Sequence, residues 1–266
     1  MNSKRQNLNQ IIRKSHAVII EVPCGFGFDF AKKQIDFLPS DEILDVFPQV
    51  HDGQKTEIFN VEDIENLQSK LSAKNQREQF LIFHNAGKMN EQAQNKFLKI
   101  LEEPRANLHF ILLSNSADDF LLTVRSRAQR AKIEPISEFE SIQLLKKNKV
   151  DETKMRQILF LANGLPGEIE RLSTDKKYAK GKFEIAEMAK KWCVGNKMEK
   201  MVIVNNLRTN RENALEMLSQ VLNILRRTAN EKTLRNNAFE MRKILQAYRN
   251  IEKNGNIRLA LLEIIF

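Results

Sequence analysis

The sequence has only two cysteines, Cys24 and Cys193, among its 266 residues. Two cysteines so far apart exclude a disulfide framework and a four-cysteine zinc site, and they suit a reducing cytoplasm. Nine glycines and six prolines are too few for a turn-rich all-β chain. No segment reaches the roughly 18 apolar residues of a membrane helix, and the basic N-terminus lacks an apolar signal region. We therefore expect a helix-rich cytoplasmic protein with no membrane association.

Positive charge is concentrated at one end of the chain. From Lys190 to Phe266 there are 15 basic and 7 acidic residues, whereas the whole chain has 43 and 34. Such an asymmetry predicts either contact with nucleic-acid phosphates or only a solvated helical surface. An aromatic stacking series would favour nucleic acid, but Trp192 and Tyr248 are isolated here. Both interpretations therefore stay open.

The first half of the sequence alternates short apolar runs with helical patterns. An apolar face that ends at Leu71 predicts a helix with Asn60 as its N-cap. A second helix is predicted from an Asn90 cap to Glu103, and Pro104 stops it. Strands separated by such helices predict a parallel α/β sheet. The candidate strands are Ala17–Val22, Ile43–Phe47, Phe80–Phe83, Leu108–Leu113 and Arg130–Ile133.

After Pro135 the strand signals fade and only helical patterns remain. Helices are predicted over Ser137–Lys149 and Lys154–Ala162, and the pattern is helical throughout from about Lys176 to Phe266. We therefore predict three domains. An α/β domain spans residues 1–134, a small helical domain spans 135–176, and a basic helical bundle spans 177–266.

A glycine-bearing turn follows the first predicted strand, at the place where an NTPase holds phosphate. A working loop has the pattern GxxxxGK[ST], in which backbone N–H groups and the Lys bind phosphates and the hydroxyl reaches magnesium. In that register Val22 takes the first Gly position, Phe28 the Lys position and Asp29 the Ser/Thr position. Gly25 and Gly27 keep the turn. Because a phenylalanine has no charge and a carboxylate repels a triphosphate, we predict a degenerate loop and no nucleotide cofactor.

The strand Phe80–Phe83 precedes the second nucleotide-handling position of an NTPase. A P-loop ATPase presents an acidic pair there for magnesium and water. This chain has His84 and Asn85, which form hydrogen bonds but are not the anionic oxygen ligands that magnesium favours. We therefore expect no ATP hydrolysis by this chain.

No other group of residues predicts a catalytic or metal site. Glu102 and Glu103 are adjacent on a helix, so their side chains diverge by about 100° and cannot converge on one substrate atom. We interpret them as interface or positioning residues. No metal site is predicted, because single histidines without ligand spacing are ordinarily structural. The four histidines are His16, His51, His84 and His109.

Four segments resemble the clamp-loader subunits of bacterial DNA polymerase III. Asn85–Pro104 closely resembles the family's ADKMxxxAxNALLKxLEEPP run. Leu122–Gln129 is similar to its TIRSRCQ motif, with Ala128 where Cys is usual. Shorter likenesses lie at Ser15–Val18 and at Asn254–Leu261, which resembles the NxNxxLAL motif of the helical collar. The resemblance implies a degenerate AAA+ domain with a P-loop NTPase-like parallel sheet, a helical lid and an all-α collar that packs with other collars.

Within this family the lost nucleotide positions resemble the delta-prime branch rather than the gamma/tau motor. The resemblance then implies a stator that does not hydrolyse ATP and that helps to load the sliding clamp onto primed DNA during replication. Its partners would be gamma/tau-like ATPase and delta-like subunits. The four-cysteine zinc module that many relatives carry is absent between Phe37 and His51.

The resemblance also implies roles for single residues. Arg127 matches the arginine that reaches a neighbouring subunit's ATP in trans. Arg125 is a weaker candidate for that role, and we interpret it as a local salt-bridge partner. Ser114 falls at the polar sensor position, where we expect it to hydrogen-bond turn backbone. The second-sensor arginine has no counterpart, since Arg171 comes too late in the sequence.

Two other functions remain as alternatives. One is an active AAA+ ATPase motor, gamma/tau-like, with an unusual phosphate cradle. The other is a stand-alone DNA-binding protein that uses the basic C-terminal region. Binding of ATP by the isolated chain would favour the first, and salt-sensitive affinity for DNA would favour the second.

Overall fold

The computed structural model describes residues 3–53, 55–70, 77–103, 105–228 and 234–266. The chain divides into two compact units. The first comprises Met1–Lys147 with Ala162–Glu170, and the second comprises Asn148–Leu161 with Arg171–Phe266. The predicted boundaries at residues 134 and 176 stay a prediction. Among the described helices, none combines the length and the apolar character that a bilayer crossing requires.

The structure contains five strands and thirteen α-helices among the described residues. The strands are β1 (Ala17–Glu21), β2 (Glu42–Val46), β3 (Gln79–Phe83), β4 (Leu108–Ser114) and β5 (Gln129–Lys132). Helices α1 to α6 are Ser3–Lys14, Phe28–Lys32, Val61–Lys70, Glu91–Glu102, Leu122–Arg125 and Glu138–Lys147. Helices α7 to α13 are Glu152–Ala162, Pro166–Thr174, Lys176–Val194, Lys197–Leu207, Arg211–Thr228, Leu234–Glu252 and Ile257–Ile265.

The five strands form one parallel sheet in the order β2-β3-β4-β1-β5. Strand β1 lies between β4 and β5, with Ile19 opposite Leu112 on one side and Arg130 on the other. After β1 the chain continues to β2, which is the edge strand on the β4 side of β1. After β4 it crosses β1 and forms β5, the opposite edge strand. The loops after β1 and β4 therefore diverge at the carboxyl end of the sheet, which is where open α/β sheets bind ligands.

The centre of the sheet is buried on both faces. Successive side chains along each strand point to opposite sides, and each side packs into its own apolar core. Ile19 and Phe83 belong to a core that α3 and α4 cover, whereas Ile20 and Ile82 belong to a second core with α1 and α2. This burial explains why the central strands β1, β3 and β4 are nearly continuous apolar runs, whereas the edge strands β2 and β5 are more polar and more exposed. The predicted strands are confirmed to within one residue at each end.

The predicted helix caps are also confirmed. The Asn60 side chain accepts a hydrogen bond from the Asp63 N–H at 3.0 Å, and the Asn90 side chain accepts one from Ala93 at 2.8 Å. Each cap satisfies a backbone donor that the first turn of a helix leaves free. Leu71 and Pro104 lie outside the described residues.

The second unit is a helical bundle around one apolar core. Helix α11 packs against α9 and α12, and α13 packs against α10 and α12. Trp192, Met217, Leu218, Ile251 and Leu261 are completely buried at its centre. This unit contains most of the basic C-terminal part of the sequence.

Candidate functional site

The degenerate phosphate loop lies at the carboxyl end of β1, within the first unit. Gly25 and Gly27 have φ angles of 83° and 86°, in the region that glycine adopts without steric cost. Between them Phe26 is completely buried, and its N–H donates to the carbonyl of Pro23 at 2.9 Å. The glycines therefore form the turn that the sequence predicts.

The first turn of α8 closes this loop from the other side. The N–H of Gly167 donates to the carbonyl of Phe26 at 2.9 Å, and that of Glu168 donates to Gly25 at 2.7 Å. A Cβ atom at Gly167 would lie 2.9 Å from the Gly25 oxygen, so only glycine permits this approach. Free N–H groups at a helix N-terminus bind anions, but here they are already bonded to loop carbonyls.

The side chains that follow the loop do not provide a phosphate site. Phe28 is half-buried at the edge of the core shared with α1 and α2. The Asp29 carboxylate is 83% exposed, which puts a negative charge where a Ser or Thr would hold magnesium. The nearest cation along the helix, Lys32, is bonded to the Asp45 carboxylate at 2.5 Å. These residues do not fit a magnesium–nucleotide complex.

His84 occupies the position of an acidic magnesium ligand at the end of β3. It is buried, its Nε2 lies 2.8 Å from the Asp45 Oδ1, and its Nδ1 lies 4.0 Å from the Asp29 Oδ1. Phe47 stacks on the imidazole with ring centroids 4.4 Å apart. Asn85 has a φ of 54°, a left-handed conformation that asparagine tolerates. His84 thus holds neighbouring side chains together at this edge.

The Asp45 carboxyl has a pKa below its ordinary value of 3.8. Burial, the largest single influence, raises this pKa, but the hydrogen bonds and charges of Lys32 and His84 together outweigh it. Sequence reasoning missed this network. Lys32 could have indicated it, because this cation lies one helical turn after Phe28, the residue at the Lys position of the phosphate-loop motif.

We expect Lys32→Met to lower the free energy of unfolding by less than about 1 kcal/mol at neutral pH, because the pair is partly exposed. A carboxylate with a lowered folded-state pKa stabilises the fold above its unfolded pKa and loses this contribution as pH falls through the folded value. The difference between wild type and variant should therefore shrink below about pH 4. Urea denaturation across pH measures it, with exposed Lys14→Met as control. A pH-independent difference would contradict the assignment.

Ser114, at the end of β4, does not bond turn backbone as predicted. Its hydroxyl donates to the Asp119 carboxylate at 2.5 Å, and Asp119 also accepts from the Ser116 N–H. A Cβ atom at Gly87 would lie 2.5 Å from the Ser114 oxygen, so the glycine leaves room for this contact. The expectation that Ser114 bonds turn backbone was wrong, because the Asp119 carboxylate, which belongs to a capping box with Ser116, lies within hydrogen-bond distance.

Arg127 lies just after α5, and its described contacts are with α4 and α5 rather than with the loop. Its Nη2 is 2.9 Å from the Glu102 Oε1, and its Nη1 donates to the Thr123 carbonyl at 3.1 Å. The side chain is 38% exposed, so the guanidinium is oriented and still reachable from solvent. Arg125 pairs with Asp118, which confirms its predicted role as a local salt-bridge partner.

No group of three or more His, Cys, Asp or Glu side chains in the described parts of the chain is arranged to hold a metal ion. The structure brings Phe28, Asp29, His84 and Ser114 to one edge of the sheet through the loops that carry them. Arg127 belongs to a separate feature at the C-terminal end of α4. The first unit thus carries two candidate features, the edge with the loop after β1 and the Arg127–Glu102 pair.

Comparisons with known proteins bear on these features. Residues 33–137 match the family described as DNA polymerase III, delta subunit. The matched segment contains His84, Asn85, Glu102 and Arg127, whereas the loop after β1 lies outside it. Comparison with curated proteins gave no sequence match.

Two similar solved structures are from Thermotoga maritima. A DNA polymerase III gamma-subunit-related protein has 17% sequence identity and a TM-score of 0.50, with 98% of this chain and 97% of that chain covered. The RuvB Holliday junction branch migration motor has 13% identity and a TM-score of 0.44, with 64% of this chain and 59% of that chain covered. The first confirms the predicted fold class, a P-loop NTPase-like parallel sheet domain followed by a helical C-terminal region. The chain is therefore similar over residues 33–137 to the DNA polymerase III delta-subunit family, and its fold is that of the DNA polymerase III gamma-subunit-related protein.

Proposed function

We propose that this chain is a non-hydrolysing, delta-prime-like subunit of a clamp loader. In this role it supports a neighbouring ATPase subunit and contributes Arg127 to that subunit's ATP in trans. The observation that carries the proposal is the pairing of a closed phosphate loop with an oriented, exposed Arg127 in one unit. In this role the chain binds no nucleotide itself, but its Arg127 contacts the ATP that a neighbouring subunit binds.

The loop argues against an active motor. Motors bind triphosphate with backbone N–H groups, a Lys and a magnesium-bound hydroxyl. Here the α8 N–H groups bond the carbonyls of Gly25 and Phe26, and Lys32 is paired with Asp45. No feature of the described residues replaces these groups, and this supports our proposal of a non-hydrolysing subunit over a gamma/tau-like motor.

Arg127 is suited to act across an interface. Negative charge on the phosphoryl oxygens must be stabilised during phosphoryl transfer, and the planar guanidinium donates several hydrogen bonds to such oxygens. Glu102 and the Thr123 carbonyl engage part of the guanidinium, so its direction is fixed while one side stays accessible. Orientation of this kind reduces the entropy lost when the arginine meets its target.

Glu102 is in our proposal the residue that positions Arg127. We expect Glu102→Gln to lower ATP hydrolysis by the assembled complex about two- to fivefold, the range that an exposed ion pair supplies. The effect should disappear when Arg127 is already alanine, because the two residues then act as one unit. Steady-state ATPase rates of the four complexes measure this coupling.

Glu103→Gln is the matched control for this experiment. Glu103 is adjacent to Glu102 and exposed, but it is not the carboxylate that pairs with Arg127. We expect the complex with Glu103→Gln to hydrolyse ATP at the rate of the wild-type complex. Equal losses in both glutamine variants, or an undiminished Glu102→Gln loss without Arg127, would contradict a positioning role.

The proposed partners are a gamma/tau-like ATPase, a delta-like subunit and, through the complex, the sliding clamp on primed DNA in the cytoplasm. We expect the tagged chain to co-purify with the ATPase and the delta-like subunit from its own cells. Hydrolysis of ATP should belong to that complex, because the chain alone lacks a phosphate site. Purification without either partner, or hydrolysis by the isolated chain, would contradict the proposal.

A further inference from the structure

One face of helix α12 carries a row of basic and aromatic side chains. Phe239, Arg242, Gln246, Arg249 and Lys253 follow each other at spacings of three and four residues, which places them on one side of a helix. Phe239 is 65% exposed, and the other four are exposed as well. We call this set the α12 row. From Arg242 to Lys253 it is about 16 Å long.

The opposite face of α12 anchors the helix in the bundle. Ile244, Ala247 and Ile251 are buried in the core of the second unit. The backbone N–H of Lys253 donates to the Arg249 carbonyl at 3.1 Å, so the helical geometry continues to the end of the row. The α12 row is therefore a rigid surface feature of the unit.

The cations of the α12 row have no carboxylate partner among the described residues. Arg242, Arg249 and Lys253 make none of the ion pairs seen there. An ordinary solvated helix surface mixes both signs, as α9 does with its Lys180–Glu184 and Lys190–Glu187 pairs. The α12 row contains no acidic residue, so its positive charge is not neutralised within the row.

These features match a single strand of nucleic acid better than an acidic protein segment. Proteins bind single strands with cations along the phosphate backbone and exposed aromatic rings on which bases stack. The α12 row supplies three cations, one amide and one exposed ring, within a part of the chain that has 15 basic and 7 acidic residues. An acidic protein partner would use the cations but would not need the Phe239 ring, over which the Lys243 Nζ lies 5.6 Å from the ring centroid.

We propose that the α12 row binds single-stranded nucleic acid. The phosphates contact Arg242, Arg249 and Lys253, a base stacks on Phe239, and Gln246 hydrogen-bonds the backbone or a base edge. A duplex binds less well, because its bases are stacked on each other and unavailable to the ring. The proposal does not depend on the phosphate loop or on Arg127, and the phosphate and base chemistry is common to DNA and RNA.

Fluorescence anisotropy of the full chain with labelled oligothymidine tests the proposal, with oligouridine and a DNA duplex of equal length as further probes. Arg242→Ala/Arg249→Ala should weaken binding at least about tenfold and reduce the log–log salt slope by about 1.4, or 0.7 for each phosphate contact. The charge-matched control is Arg156→Ala/Arg208→Ala, two exposed arginines outside the row. This control should keep the wild-type salt slope.

Phe239→Ala separates stacking from charge. We expect it to weaken oligothymidine binding at least about fivefold with an unchanged salt slope, because stacking involves no counterion release. Equal affinity for oligothymidine and oligouridine is consistent with the shared chemistry. Absence of single-strand binding at low salt, equal loss in the control double variant, or preference for the duplex would overturn the proposal. The first of these results would favour an acidic protein partner instead.

Discussion

Replacing Arg127 by alanine is expected to reduce ATP hydrolysis at the adjoining site of the assembled complex by about 10³-fold. In the proposed role the guanidinium stabilises charge that develops on the phosphoryl oxygens, so its removal should affect the rate far more than the assembly. The measurement is single-turnover hydrolysis by the complex purified through this chain. Arg127→Ala leaves any other ATPase site of the proposed complex unchanged, so a slow phase would report the adjoining site.

Arg130→Ala is the matched control for this experiment. Arg130 is an exposed arginine on β5, three residues from Arg127, and removing it changes the charge equally. Both variants should assemble normally and keep the unfolding temperature of the wild type, since neither side chain is buried. A wild-type rate at every site of the Arg127→Ala complex would contradict the role in trans.

The isolated chain is expected to show no saturable binding of ATP with magnesium up to millimolar concentrations. Compared with a micromolar site, this is a loss of at least about 4 kcal/mol of binding free energy. The reason is that the loop offers Phe28 and Asp29 in place of a cation and a hydroxyl, and the α8 N–H groups are bonded to Gly25 and Phe26. Calorimetric titration measures it directly.

Cys24 provides an independent probe of the same prediction. Its thiol is exposed between Pro23 and Gly25, where a bound nucleotide would cover it. Burial, with a smaller contribution from Glu240, raises the pKa of Cys193 to about 11, so alkylation near neutral pH reports Cys24. The alkylation rate should be unchanged by ATP. Protection of Cys24 at micromolar ATP would show that the loop binds nucleotide.

Residue identity and periodicity were sufficient for the strands and for the caps at Asn60 and Asn90. Strands buried on both faces need long apolar runs, and a cap needs a side-chain acceptor at one position, so both are local properties. The degenerate loop was equally visible, because Phe28 and Asp29 lack the required chemistry whatever surrounds them. The strands, the caps and the altered loop sequence were therefore predictable from the residues at each position alone.

The closure of the loop by α8 was not predictable in the same way. Gly167 is distant in sequence from Gly25 and Phe26, and only the folded unit brings their backbones together. The structure places Pro166 at the start of α8, a position that favours proline because its missing N–H would have no helical partner.

The ion pairs were also beyond the sequence pattern. Glu102 and Arg127 are on different elements, as are Lys32 and Asp45, and many pairings of surface charges are compatible with one sequence. The sequence predicted that Glu102 and Glu103 are interface or positioning residues, because adjacent helical side chains diverge, and this stays a prediction. The partner of Glu102 required the geometry of the fold.

The most direct test of the account is a structure of the complex with the adjoining ATPase, solved with a transition-state analogue of ATP. We predict that the Arg127 guanidinium lies within hydrogen-bond distance of the analogue's terminal group in the neighbouring subunit. The edge beside Phe28 and Asp29 should hold no nucleotide. Nucleotide density at that edge, or Arg127 directed away from the interface, would contradict the account.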